Sequence, residues 1–160
     1  MYKDASELMS QCKEQNKRIW QIAVENEMKL TSSSYEDILS RFDDRLEIMF
    51  HSAQKALNAK QATKGGLIDG VAKTQYDYSK KENISGEYIN YVMSLAYSCS
   101  EVNASMGKIC ASPTAGSCGI VPAVLLGLSQ AKNISREKTL EGLITASAVG
   151  AIYTKNATVA

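Results

Sequence analysis

At 160 residues, with 44% hydrophobic and 22% charged residues, the chain is long enough for one domain with a real core and has an ordinary globular composition. Its formal net charge of +1 offers no electrostatic footprint for nucleic acid or an anionic membrane. The longest apolar stretches, near residues 119–128 and 143–153, fall short of the ~20 residues that cross a bilayer, so no membrane role is expected.

The amino-terminal third predicts helix, turn, helix. Leu8, Cys12, Ile19, Ile22 and Ala23 share one face of a 3.6-residue period, and "TSSSYED" then breaks the pattern. Ser33 followed by Glu36 has the spacing of a capping box, in which each residue satisfies an open amide of the other at a helix start. From there Ile38, Phe42, Leu46, Met49, Ala53 and Leu57 trace an apolar stripe opposite charged residues.

"NAKQATKGGLIDG" reads as a connector, with a short helix expected from Val71 to Lys80. Ser85 is the expected cap of the next helix, whose inner face would carry Ile89, Val92, Ala96, Cys99 and Met106. After "CASPTAGSCGIVPAVLLG", residues 110–127, a loop precedes a last helix from Ser135 to about Tyr153. Two prolines in the chain and no useful strand alternation predict an all-α fold, as a single helical domain over residues 1–160. "YTKNATVA" closes the chain directly after an apolar helix with no terminal turn signal, which predicts an amino-terminal portion of something longer.

The cysteines are Cys12, Cys99, Cys110 and Cys118, with no C-x-x-C pair, and the charged opening "MYKDASELMSQCKEQNK" is no signal peptide. Free thiols in a reducing cytoplasm follow. Of the four, Cys118 is placed most unusually. Pro113 ends the preceding helix, Gly116 and Gly119 permit close backbone approach, and Pro122 suits the first turn of a new helix. Cys118 therefore precedes a helix start, where open amides and the dipole favour a thiolate or a carboxylate.

Three chemistries fit that placement: a tight helix corner with a small buried cysteine, a nucleophilic cysteine, or a metal ligand. The second needs a base, and the one histidine, His51, falls on the outer half of an amphipathic helix, where a surface role is expected.

"EVNASMGKICASPTAGSCGIVPAVLLG", residues 101–127, closely resembles the α chain of the bacterial iron–sulfur-dependent L-serine dehydratases. Those chains carry Asn-Ala-x-x-Gly-(Arg/Lys)-Ile leading into Ala-x-Pro-Thr-Ala-Gly-Ser-Cys-Gly-Ile. "GAIYTKNATVA", residues 150–160, is similar to a second family segment built on Lys-Asn-Ala. "ATKGGLIDGVAK" matches more loosely a segment that usually reads Ser-Gly-Leu-Thr-Gly-Gly-Asp: Ile68 and Asp69 replace the Thr-Gly, Val71 stands where the acidic residue is usual, and no site is placed there.

The resemblance implies a lyase that converts L-serine to pyruvate and ammonia by α,β-elimination. It works with a β chain in a cytoplasmic, amino-acid-degrading or gluconeogenic role. It implies a [4Fe–4S] cluster held by three cysteines, with one iron open as a Lewis acid. Cys118 is the expected ligand from this stretch, and the other cluster cysteines fall after the Lys-Asn-Ala segment. The amides of Ala115, Gly116 and Ser117 are expected to hold the serine carboxylate, with the hydroxyls of Thr114 and Ser117 as further donors. Lys155 and Asn156 are expected at substrate or cluster, and Asn103 behind the turn; each also has a plain structural reading.

Two alternatives remain at this point. A pyridoxal-phosphate dehydratase would catalyse the same reaction, but it needs a Schiff-base lysine and a phosphate cradle in an α/β fold. A non-catalytic helical subunit or interaction module would use the turn for packing alone.

Overall fold

The computed structural model describes residues 2–156, which form seven helices and, among the described residues, no strand. They are α1 (Ala5–Gln15), α2 (Ile19–Thr31), α3 (Tyr35–Asn58), α4 (Val71–Ser79), α5 (Glu87–Ala104), α6 (Ile120–Ala131) and α7 (Arg136–Asn156). The all-α expectation holds. No helix is long and apolar enough to cross a membrane.

The chain divides into two units, residues 1–44 with 137–160, and residues 45–136. In the first, Leu8, Cys12 and Ile22 bury one another, joined by Ile19, so the expected face is present. It is not carried by one helix. Asn16 adopts the left-handed conformation at φ 50° and turns the chain between α1 and α2, with the Lys17 amide donating to the Cys12 carbonyl at 3.0 Å. Asparagine tolerates that conformation better than most residues, which makes it a helix stop.

The capping box falls one residue later than expected. The Asp37 amide donates to Ser34 Oγ (3.1 Å) and the Ser34 amide to Asp37 Oδ2 (3.3 Å). Along α3, Ile38, Leu46, Met49, Ala53 and Leu57 are all buried, as the stripe predicts.

The second unit is organised by α5. Of the apolar series expected on its inner face, Cys99 is buried and Val92 and Ala96 pack against the core, whereas Ile89 is exposed and Met106 lies beyond the helix end and is exposed too. Beside Cys99, the buried residues are Asn90, Ser94, Leu95, Ser98, Glu101 and Val102. Nor does Ser85 cap the helix; Gly86 stands at that position without a side-chain bond.

Polar side chains turn inward because each completes a backbone or side-chain group that would otherwise be stranded. Ser98 Oγ accepts from the Ala56 amide (2.9 Å) and donates to the Ser52 carbonyl (2.7 Å), so the hydroxyl stands in the hydrogen-bond ladder of α3. Asn90 accepts from Gln75 Nε2 (2.8 Å) and donates to Asn83 Oδ1 (2.7 Å). Around these bonds Ala53, Ala56, Leu57, Ala72, Leu95, Cys99, Cys118, Ala123 and Leu126 form one core.

Two glycines set the α5–α6 spacing. A Cβ on Gly119 would lie 2.5 Å from the Ala96 carbonyl oxygen, and one on Gly127 would lie 2.6 Å from Val92 Cγ2. Only a residue without a side chain lets α6 lie this close.

Candidate functional site

The end of α5 is where the unusual stretch hangs. Met106 takes the left-handed conformation at φ 62°, its amide bonding the Asn103 carbonyl (3.0 Å) and the Gly107 amide bonding that of Val102 (2.8 Å). This pair of bonds is a Schellman ending, which closes the last carbonyls of the helix. The chain then runs to a cis Ser112–Pro113 peptide and into the turn.

Within the turn, hydroxyls hold the backbone. Ser117 Oγ accepts from the Thr114 amide (3.3 Å) and donates to the Ser112 carbonyl (3.0 Å). Thr114 Oγ1 accepts from the Ser117 amide (3.3 Å) and lies 3.0 Å from Ser117 Oγ. The Cys118 amide reaches the Ala115 carbonyl (3.4 Å) and the Ile120 amide that of Ser117 (3.3 Å), leading into α6 at Gly119. From α5, Asn103 Nδ2 donates to the Ala115 carbonyl at 3.3 Å, so Asn103 does stand behind the turn.

This sorts the expected substrate donors. The Ser117 amide is engaged by Thr114, whereas the amides of Ala115 and Gly116 donate to nothing among the described residues, and both residues are exposed. A Cβ on Gly116 would meet only Thr114 Oγ1, at 3.8 Å. Two adjacent open amides on a held turn can take a carboxylate. Lys155 and Asn156 are exposed in the last turn of α7, in the other unit, with Asn156 Nδ2 donating to the Ile152 carbonyl (2.8 Å). Residues 157–160 of the Lys-Asn-Ala segment lie outside the described residues.

Cys118 differs in burial from the exposed Ala115 and Gly116. It is buried at 1% exposure and belongs to the core around Leu95 and Ala123. Burial pushes its thiol above the ordinary value; its own backbone hydrogen bond opposes that shift, and nearby Cys110 adds to it. The expected thiolate at a helix start is therefore not the resting state of the free chain. Removal from water outweighs the dipole. Cys99, in the same core, is pushed up to about 11, chiefly by burial, with Ser52 Oγ at 3.5 Å opposing and Cys118 contributing.

Spacing along the sequence did not show that these thiols are neighbours. Nor did it single out Glu101, which is fully buried and which no local pattern marks. His51 is exposed, as expected.

As a place for an iron–sulfur cluster, the donor set is one-sided. Cys118 offers one soft sulfur, buried in the core, which fits a single ligand position. Among the described residues, however, no three histidine, cysteine, aspartate or glutamate side chains come together to hold a metal. Nor does a strand-based phosphate cradle occur among them.

A family model described as serine dehydratase alpha chain matches residues 14–160. The chain is 38% identical to the L-serine dehydratase alpha chain of Peptoniphilus asaccharolyticus, over all of this chain and 55% of that protein. It is 34% identical to a probable L-serine dehydratase alpha chain of Bacillus subtilis (strain 168), over 99% of this chain and 53% of that one. L-serine dehydratase 1 of Escherichia coli (strain K12) is 27% identical over 99% of this chain and 36% of its own length. The chain thus spans about half the length of the alpha chains it matches. No solved structure matches it.

Proposed function

The chain belongs to the serine dehydratase alpha chain family, and from that membership we propose that the complete protein is a lyase that converts L-serine to pyruvate and ammonia by α,β-elimination. The observation that carries this reading is the turn of residues 112–118, which pairs two open amides with a buried thiol in a stretch that the family model covers.

In this reading the amides of Ala115 and Gly116 take the α-carboxylate of serine. Their direction is set beforehand by the Thr114–Ser117 hydroxyl pair and by Asn103, so little ordering is left to binding. Thr114 and Ser117 act through the shape of the turn and leave the carboxylate to the backbone. Cys118 is one ligand of a [4Fe–4S] cluster, and the remaining ligands come from outside the described residues. The bound cluster supplies a Lewis acid for the β-hydroxyl, which is otherwise a poor leaving group. Ligation has to displace the Cys118 proton, which burial holds more tightly than usual. The reading extends to a β-chain partner, a cytoplasmic location, and a place in amino-acid degradation and gluconeogenesis.

The test is pyruvate release from L-serine by the complete protein purified without oxygen, repeated after air and after iron and sulfide are restored. Activity lost in air and regained with iron is expected, and Cys118→Ser is expected to lower both iron content and the visible absorbance of the cluster. Activity indifferent to air and iron would overturn the cluster reading. No pyruvate from any preparation would overturn the dehydratase reading.

A further inference from the structure

The outer faces of α5 and α6 are without charge. No residue from Tyr88 to Ser100 is charged, and none from Ile109 to Ala131. Past Glu87, every exposed residue of α5 is apolar or aromatic: Tyr88, Ile89 (50%), Met93 and Tyr97. On α6 the row Ile120 (63%), Val124 (44%) and Leu128 is exposed in the same way. A helix that meets water on one side sets charged residues there, as α3 does with Glu36, Arg41, Asp44 and Glu47. A helix that is apolar all round belongs in an interior.

The two exposed rows lie side by side. Val92 and Ala96 of α5 face Gly127 and Gly119 of α6, so the helices run antiparallel with these four residues in the seam. On α5 the seam separates Leu95 and Cys99, which are buried, from Ile89, Met93 and Tyr97. On α6 it separates Pro122 and Leu126, also buried, from Ile120, Val124 and Leu128. Leu95, Cys99 and Leu126 belong to one core, so both buried rows turn to the same side of the pair. The exposed rows therefore come out together on the other side, as one face. Its six side chains present roughly 500 Å², a size at which an apolar patch marks an interaction site.

Two observations say what covers it. The face starts where the turn of residues 112–118 leads into α6, since Ile120 follows Cys118 by two residues. In the proposed function Cys118 holds a cluster whose other ligands lie outside the described residues, so the part of the protein that carries them has to come to this end of α6. Length provides for such a part: the matched alpha chains are nearly twice as long as this chain, which leaves ~130 residues, the size of an ordinary domain. A second copy would need about 800 Å² from each partner for a stable dimer, more than this face offers. Separately folded chains also meet through mixed surfaces with polar rims, whereas a face without charge is that of a core cut open.

We propose that the face made by Ile89, Met93, Tyr97, Ile120, Val124 and Leu128 is packed, in the complete protein, against the part of the same polypeptide that lies outside these 160 residues. That part meets it with uncharged, apolar helix faces. This rests on the dehydratase reading for the nearness of the other cluster ligands, and adds to it the surface that brings them to Cys118.

The experiment is photo-cross-linking of the complete protein, purified without oxygen. One variant carries p-benzoyl-phenylalanine in place of Val124 on α6. A second carries it in place of Tyr97 on α5, where one aromatic ring replaces another and folding is preserved. Denaturing gels separate products within one polypeptide from products between chains, and peptide mass spectrometry identifies the residues joined. The expected product runs at the mass of one alpha chain and joins position 97 or 124 to a peptide outside residues 1–160. A product at twice that mass would give the face to a second copy, and one at the summed mass of two different chains would give it to a separate subunit. A partner peptide from within residues 1–160 would give it to this chain itself. Each of these overturns the proposal, as does the absence of any cross-link. Pyruvate release from L-serine is measured on the same preparations before irradiation. The expected cross-link in protein that releases no pyruvate supports the packing and overturns the dehydratase reading; any other product in active protein does the reverse.

Stability gives a second readout. Val124→Glu sets a charge in the packed face and is expected to lower the urea midpoint of the complete protein by roughly 1 M, equally at low and high protein concentration. An unchanged midpoint would overturn the proposal, and a loss that disappears on dilution would give the face to a second copy.

Discussion

Replacing Gly119 by alanine separates packing from chemistry at the turn. Gly119 has φ −86° and ψ −23°, which alanine adopts freely, so backbone strain plays no part. The obstacle is α5. The new Cβ would lie 2.5 Å from the Ala96 carbonyl oxygen, 3.1 Å from its Cα and 3.2 Å from its carbonyl carbon. All three are main-chain atoms inside a helix and cannot rotate aside. Ordinary contact would require α6 to retreat from α5 by roughly 1 Å at this level. That movement loosens the layer holding Cys99, Cys118 and Ala123. Overpacking of this kind costs about 1–3 kcal/mol, and contact with main chain puts Gly119→Ala at the upper end. For a chain of this size the melting temperature should fall by roughly 6–12 °C. Thermal unfolding followed by far-UV circular dichroism measures it, with Gly116→Ala, whose Cβ meets only Thr114 Oγ1 at 3.8 Å, as the control that should stay within about 0.5 kcal/mol of the parent. A Gly119→Ala chain that melts within 1 °C of the parent, on the order of a few tenths of a kcal/mol, would refute the close-approach reasoning.

The same Gly116→Ala protein should raise KM for L-serine about tenfold in the complete enzyme through crowding of the carboxylate, measured by pyruvate release at varied serine. Met106 spends its left-handed conformation at 76% exposure with little to pack against, so Met106→Gly should raise stability by about 1 kcal/mol in a denaturant titration. Cys99 stays neutral in the folded chain to about pH 11, while in the unfolded chain it ionises near the ordinary 9.0. Its contribution is therefore complete below pH 9 and is lost as pH rises toward 11, amounting to roughly 3 kcal/mol across that window. Urea midpoints between pH 8 and 10.5 should fall more steeply for the parent than for Cys99→Ala.

What could be read from the sequence follows how far hydropathy reports burial. The α3 stripe was legible because its buried residues, from Ile38 to Leu57, are apolar and its outer ones charged. On α5 the rule holds only in part: Ile89, Met93 and Tyr97 face outward, while Ser94, Ser98 and Glu101 are buried beside Leu95, Cys99 and Val102. Ser98 and Glu101 serve particular amides and carbonyls on α3 and α4, and nothing local in the sequence marks such pairings over 29 or more residues. The break at Asn16 was missed because one asparagine is a weak stop unless its conformation is known. At the turn, Pro113 and the glycines announced a break and a helix start. The thiol was placed correctly along the chain but with the wrong surroundings, because spacing says nothing about which way a side chain leaves the backbone.

The glycines around α5 carry the last step. Resemblance alone treats Gly107, Gly116, Gly119 and Gly127 as one pattern, yet the structure divides them by what a methyl group would strike. Gly107 lets the chain fold back on Val102, and Gly119 and Gly127 let α6 lie against Ala96 and Val92. Those three hold α5 and α6 together, so substituting any of them damages the fold before any chemistry. Gly116 and Gly65 strike nothing nearer than 3.8 Å and 4.0 Å and need no left-handed backbone. A glycine there weakens the loop by entropy and returns no contact within the chain. Glu101 and Asn103 supply the rigidity that glycine removes, holding the loops still while their tips remain open.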